Sequence, residues 1–355
     1  MTYRAEILGH LEALVGFDTC NPPRAFDETG LFAYLKQSLP RFEHTLWNHG
    51  EGRISLLSVR GNPDLLFNFH VDTVPVNEDW THNPFVLSVS NERATGLGAC
   101  DIKGAAACML TAAAHSAGDV ALLFTSDEEA GNSHCINTYL AQPHGFQQVV
   151  VAEPTQSRIV RAHRGIVTAS VSFKGAAGHA SSQQQVGDSA LHQAVHFSHR
   201  ALRWADEQQS RTYQNLMGVR FNLGTLNGGI KPNMIAPSAE LKFGLRTLPG
   251  DDQSELVRHF ETLAGDYPRA MLTPGFIAPS LTATSDDLVA RLDGPVGEAV
   301  DFWTEAALFA KAGCDVVVWG PGDIAQAHTA DEWVDCGELE VMTEHYERIL
   351  NHGAA

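Results

Sequence analysis

His70 and Asp72 stand at the end of an apolar run, residues 65–69. A carboxylate beside an imidazole can hold one ring nitrogen and leave the other free for a metal ion. Alone, such a pair at a strand end is more often a polar loop anchor. The placement recurs, however. The apolar stretch 120–125 runs straight into Ser126, Asp127, Glu128 and Glu129. The stretch 149–151 is followed by Glu153, and 316–319 by a glycine-rich loop that ends on His328. Four apolar strands thus deliver a histidine or a carboxylate just past their C-terminal ends, the edge where open α/β sheets bind ligands. Each residue has a plainer alternative: a solvated loop for Glu128-Glu129, a turn for Glu153 before Pro154, and a helix N-cap for Asp101. As a set, imidazoles and carboxylates suit zinc, cobalt or manganese.

The elements that must position these groups follow from apolar spacing. Ile7, Leu8, Leu11, Leu14 and Val15 predict a helix over 3–16, stopped by Asn21-Pro22-Pro23. A second helix is expected over 29–39, and a further strand over 54–59. The alanine-rich stretch 105–114 follows the Gly96 and Gly98 turn and predicts a helix that lies close on a sheet. That G-x-G lacks the third glycine of a dinucleotide fingerprint. The pattern changes between 163 and 277. Val167, Ala169, Val171 and Phe173 alternate with polar residues, as do Ala239, Leu241, Phe243 and Leu245, the period of half-exposed antiparallel strands. Helices are expected over 188–207, with Leu191, Val195, Ser198 and Leu202 on one stripe, and over 253–263. The fold class is therefore α/β, a mainly parallel sheet with helices on both faces. Residues 1–162 and 278–355 form the catalytic domain, and 163–277 an inserted α+β domain.

The chain has 355 residues and a formal charge of −18, from 24 basic and 42 acidic side chains. That balance argues against nucleic acid or an anionic membrane as partner. The opening MTYRAEILGH lacks the apolar core of a secretory leader, and no run of about 18 apolar residues suggests a span. Six cysteines without C-x-x-C spacing read as reduced thiols of a cytoplasmic protein. His192, His196 and His199 fall on helical spacing and could chelate a metal, but their side of the helix reads as solvent-facing.

The motifs HVDTVP, GACDIKG, TSDEEAG, AEPT, GHAS, KPNMI, LRTLPG and AHTADE occur in this order. In this order they resemble the landmarks of the M20 family of di-metal amidohydrolases and peptidases, over nearly the whole chain. The run WTEAALFAKAG and the GPG before His328 look most like the acetylornithine deacetylase branch. The resemblance implies two divalent ions, Zn2+ or Co2+, with His70 and Glu153 on one, Glu129 and His328 on the other, and Asp101 bridging. It implies Asp72 orienting His70, Glu128 as general base, and a cis Asp101–Ile102 peptide. It further implies His179 as carbonyl-polarising group, Arg246 on the substrate α-carboxylate, and Asn233, Trp303 and Thr304 lining the pocket. Its substrate would be an N-acetylated amino acid, citrulline in preference to ornithine, in arginine biosynthesis, and the insert could act as a lid or form a homodimer.

The sequence departs from the family pattern at Gly244, where an Asp often precedes the arginine by two residues, and at Asp301-Phe302-Trp303, where smaller residues are usual. Glu305 and Asp331 are the candidate carboxylates for an ammonium-bearing side chain. A dipeptidase or aminopeptidase with the same metal core, a silent amino-acid or peptide-binding homologue, and a metal-free carboxylate-pair hydrolase are the alternatives.

Overall fold

The structure is a computed structural model that describes residues 3–24, 27–131, 133–143, 145–181, 189–283 and 286–352. It divides into two compact units, residues 1–161, 283–297 and 304–355, and residues 162–282 with 298–303. The second unit thus runs beyond the expected boundary at 277 and takes back a short later excursion that includes Trp303.

In the first unit, six strands form one sheet in the order Glu43–Asn48, Ile54–Arg60, Val120–Thr125, Leu65–His70, Gln148–Val151, Asp315–Val318. The last four run parallel to their neighbours, and the first two are antiparallel additions at one edge. The central strands are VALLFT and LLFNFH, buried at every residue. Helices cover a parallel sheet on both faces, so its strands read as apolar runs without alternation. Phe69 stacks on Phe124 at 5.5 Å between ring centroids, and Tyr346 of the helix Cys336–His352 meets Phe67 edge-on at 5.4 Å. The alanine helix, Lys103–His115, is buried from Lys103 to Ala113. Its small side chains let it lie against the sheet and against the helices Arg4–Val15 and Cys336–His352. Arg60 and Arg41 donate to the carbonyls of Ala113 and Ser116, which supplies partners for orphan C-terminal carbonyls and positive charge at that end.

The helix N-cap position belongs to Ile102 and carries no side-chain cap bond, so the expected capping role of Asp101 is not found. The Asp101–Ile102 peptide is cis, as are Asn21–Pro22 and Pro22–Pro23.

The second unit is a four-stranded antiparallel sheet in the order Arg220–Gly228, Ser238–Thr247, Gly165–Lys174, Met271–Ala278. The helices Ala190–Glu207 and Gln253–Gly265 pack on one face. Residues of Ser238–Thr247 alternate exposed and buried as the period-two pattern predicts. The helix face was misjudged from sequence. Ala190, Ala194, Phe197 and Ala201 are buried, whereas Val195 and Leu202 are 50% and 44% exposed. Of the expected stripe only Ser198 is buried. Alanines bring this helix close enough for Phe197 to join Phe173, Phe243 and Phe260 in the core. Ser189 caps it, and Asp252 caps the other helix. Residue 188 lies outside the described residues.

Candidate metal centre

The C-terminal ends of four parallel strands and the turn before the helix Lys103–His115 bring five side chains into two groups. Donor atoms of His70, Asp101 and Glu153 lie within 4.8 Å of one another, and so do those of Asp101, Glu129 and His328. Asp101 belongs to both. Its Oδ1 lies 3.0 Å from His70 Nε2, and its Oδ2 lies 3.4 Å from His328 Nε2. Glu153 Oε1 is 3.8 Å from His70 Nε2, and Glu129 Oε1 is 3.1 Å from His328 Nε2. His70, Asp101 and Glu153 are buried, while the His328 side chain is 55% exposed, so the centre opens to solvent on that side.

Turns fix these donors more than rotamers do. Gly98 lies at φ +78°, where a Cβ would meet Thr73 at 2.7 Å, and it lets the chain turn tightly before Asp101. Gly320 passes so close to Glu153 that a Cβ would meet its carbonyl oxygen at 2.6 Å. His328 itself sits at φ +61°, a region uncommon for residues other than glycine.

Asp72 stands against His70 and serves the neighbouring turn as well. His70 Nδ1 lies 3.1 Å from the Asp72 main-chain carbonyl and 3.5 Å from its carboxylate. The carboxylate also accepts the Glu129 and Glu128 amides at 3.1 and 3.3 Å and the Asn21 side-chain amide at 2.7 Å. It therefore shapes the turn that carries Glu128 and Glu129. Glu128 belongs to neither donor group. Its carboxyl is pushed up to about 8 by burial and by Glu129, Asp72 and Asp101, against the pull of His70.

Three supporting residues escaped the sequence reading. Glu332 is buried, and its carboxylate accepts the amides of Gly98, Cys100 and Asp101 at 3.0, 2.8 and 2.9 Å. It stands four residues after His328, so one segment supplies a donor of the centre and holds the loop of another. Burial raises this acid to about 7. Lys103 is buried and donates to the Phe17 carbonyl at 3.1 Å; burial lowers its ammonium to about 8. Asn21 was taken only as a helix stop. The signal for Glu332 was a charged residue inside the AHTADE motif, and none marked Asn21.

No lysine or arginine pairs with Asp101, Glu129 or Glu153 among the described residues. Burial raises the Glu153 carboxyl well above its ordinary range and raises that of Glu129. Hydrogen bonds from His328 and His70 overcome the burial of Asp101 and hold it low, and bonds to Asp101 and Glu129 lift His328 to about 11. Three shielded carboxylates countered only by imidazoles are costly without added positive charge. The donor set fits two borderline-hard dications that share Asp101.

The remaining candidates lie in or beside the second unit. His179 Nδ1 accepts from the Ser181 amide at 3.2 Å and lies 2.7 Å from the Ser181 hydroxyl, so the ring proton sits on Nε2. The Ala180 amide donates to the Asn233 carbonyl at 3.0 Å, which joins the GHAS and KPNMI loops. Arg246 is exposed and has no ion pair or hydrogen bond among the described residues. Trp303 donates to the Pro279 carbonyl at 3.0 Å and lies edge-on to Phe276 and His163. Thr304, in the first unit, is fully buried, and its hydroxyl accepts the Ala306 amide at 3.2 Å, so it shapes the start of the next helix. His192, His196 and His199 are exposed and belong to neither donor group.

A parallel sheet whose C-terminal edge carries two donor groups joined by one carboxylate defines a di-metal hydrolase. Residues 66–352 match the model of peptidase family M20/M25/M40, and the chain belongs to that family. It is 47% identical over 359 residues to an N-acetyl-L-citrulline deacetylase of Xanthomonas campestris pv. campestris, covering 98% of each chain. An acetylornithine deacetylase of Proteus mirabilis is 31% identical over 331 residues, 85% of this chain and 83% of that one. Among solved structures, a tripeptidase from Staphylococcus aureus superposes with a TM-score of 0.78 at 18% identity, over 100% of this chain and 99% of that one. Human carnosine dipeptidase 1 does so with 0.69 at 14%, over 98% and 96%. At those identities the structures speak for the fold.

Proposed function

We propose that this enzyme hydrolyses the acetamide of an N-acetyl-L-amino acid, releasing acetate and the free amino acid, with N-acetyl-L-citrulline as its preferred substrate. The observation that carries the chemistry is the division of the Asp101 carboxylate between two donor groups. The near full-length 47% identity to an N-acetyl-L-citrulline deacetylase supports the choice of substrate.

His70 and Glu153 would hold one divalent ion and Glu129 and His328 the other, with Asp101 between them. A divalent ion there, Zn2+ or Co2+, would supply the charge to polarise a carbonyl and acidify a water. Glu128 takes the proton from the attacking water on a carboxylate oxygen and delivers it to the leaving nitrogen. Asp72 keeps Glu128 and Glu129 in one turn, so that base and ligand share a rigid support. His179 would stabilise the developing oxyanion by a hydrogen bond from Nε2–H. Arg246 grips the α-carboxylate through its two-pronged guanidinium.

Of the two candidate carboxylates, Asp331 is already engaged, whereas the buried Oε1 of Glu305 has no hydrogen-bond partner among the described residues. Asp331 is stapled to the Thr81 amide and hydroxyl at 3.0 and 2.6 Å. Glu305 is buried, and burial with repulsion from Glu128 and Asp127 drives it towards the neutral form. A neutral ureido group suits these surroundings better.

The free cysteines and the lack, among the described residues, of a helix long and apolar enough to cross a membrane agree with a cytoplasmic enzyme. The insert would pair with a second copy through its edge strand Arg220–Gly228 and the exposed Val195 and Leu202, which light scattering tests. Acetate release from a panel of N-acetyl amino acids, with Zn2+ or Co2+ added, tests the reaction. Faster turnover of N-acetylornithine would overturn the substrate, and faster cleavage of dipeptides would overturn the class.

A further inference from the structure

Two arginines face each other across neighbouring strands of the second unit. Arg220 pairs in register with Arg246, and both point to the sheet face that the helices leave open. Directly opposed side chains stand about 4.5–5.5 Å apart at Cβ, and like charges there are destabilising. Among the described residues the only acid paired with either is Asp301, 3.8 Å from Arg220, and its short 2.6 Å bond goes to the fully buried Arg164. Arg246 has no partner among the described residues. The next row along the same face holds Gly244, opposite Thr168 and Asn222. Nothing in the fold requires glycine there. Its φ is not left-handed, and a Cβ would meet nothing closer than Thr168 Cγ2 at 3.9 Å. Glycine inside a strand weakens it and often marks the close approach of a ligand. With Gly224 and Gly275 it opens a trough of about 400 Å³, walled by Lys242 and Ser170, room for an amino-acid-sized molecule.

We propose that Arg220 and Arg246 together clamp the carboxylate of an N-acylated amino acid whose chain lies over Gly244. This rests on the deacetylase reading and adds a second guanidinium and a bare strand position as specificity determinants. The anion relieves the opposed charges, and Arg220 leaves its long contact with Asp301 to meet it. An aspartate in place of Gly244 would stand on the same face as Arg246 and compete for it.

Calorimetric titration of the metal-loaded protein with N-acetyl-L-citrulline and with its α-carboxamide tests the clamp. The acid should bind wild type about tenfold or more tighter than the carboxamide, the usual scale for charged hydrogen bonds. Arg220→Gln should erase most of that preference and leave carboxamide affinity unchanged, with partial rescue by Arg220→Lys. The ligand-free melting temperature should rise in Arg220→Gln, because a repulsion is removed. Gly244→Ala should likewise melt higher yet bind the acid more weakly. Equal weakening of acid and carboxamide in Arg220→Gln, or an intact acid preference, would overturn the proposal. Absence of turnover with the acid preference retained would sink the deacetylase reading and leave the clamp standing.

Discussion

The two units hold their functional side chains in opposite ways. In the first, the donors of each group lie within 4.8 Å of one another, and buried acids hold the loops around them. Asp72 fixes the Glu128-Glu129 turn, and Glu332 fixes the loop before Asp101. In the second, Arg246 and Arg220 stand exposed, one without a partner and one with a distant partner. Chemistry on a water requires groups preset to within tenths of an ångström, which burial and hydrogen bonds provide. Recognition of a charged group instead benefits from donors left unsatisfied until the ligand arrives. Substitutions that act through preorganisation should therefore change turnover, and those that act through unsatisfied charge should change affinity.

The largest effect should come from Glu128→Gln. Removing a positioned general base costs about 10²–10⁴-fold in rate. Because Glu128 stands in neither donor group, metal content by elemental analysis should stay that of wild type. Loss of metal would move Glu128 among the ligands, and unchanged turnover would remove its role. Asp101→Asn supplies the contrast, since it weakens both groups at once and should lose metal and activity together. Cations bound only by the folded protein raise its stability, by about 2.7 kcal/mol at a hundredfold excess over the dissociation constant. Added Zn2+ should accordingly raise the melting temperature of Glu128→Gln and do so much less for Asp101→Asn.

Glu332→Gln asks whether the supporting carboxylate matters as much as the ligands it supports. Gln keeps the length but offers a single, neutral acceptor oxygen to three amides that now share a charged carboxylate. Outer partners of metal ligands are worth about 10–100-fold in metal affinity or activity. A chelator titration should show metal released at correspondingly lower chelator concentration, with Glu332→Ala worse than Glu332→Gln. Equal behaviour of wild type and both variants would mean that the loop holds Asp101 without Glu332.

What could be read from the chain divides along the same line. The convergence of the candidate donors was legible because histidines and acids are conspicuous just past apolar strands, where chemistry is common. The alternating strands of the insert were legible because one face of their sheet is covered and the other is not. The acceptor roles of Asp72 and Glu332 were not, because their partners are main-chain amides 56 and 57 residues and more than 230 residues away, which carry no sequence signal. The helix Ala190–Glu207 was read on the wrong stripe because apolar periodicity weighs Val195 and Leu202 above alanine, while the packing needed the small residues. Asp101 resembled a cap because helix capping and metal bridging both put an acid just before a helix.

The smallest expected effect concerns the one histidine cluster that has the spacing for a metal and lacks the surroundings. His192, His196 and His199 recur at four and three residues on an exposed helix face. Histidines one turn apart can chelate, so spacing alone would permit a third ion. At the candidate centre of the first unit, each group includes a buried carboxylate within 4.8 Å of its partners, and no such group is found around these three among the described residues. An exposed imidazole pair without an acid competes with water on nearly equal terms, and surface substitutions away from packing or bonding change stability by only about 0.5 kcal/mol or less. Replacing all three by alanine should therefore leave the metal-to-protein ratio, the turnover and, within that margin, the stability unchanged. A ratio that falls by one ion per chain would place a bound metal in the second unit and erase the division between a preorganised centre and an open recognition face.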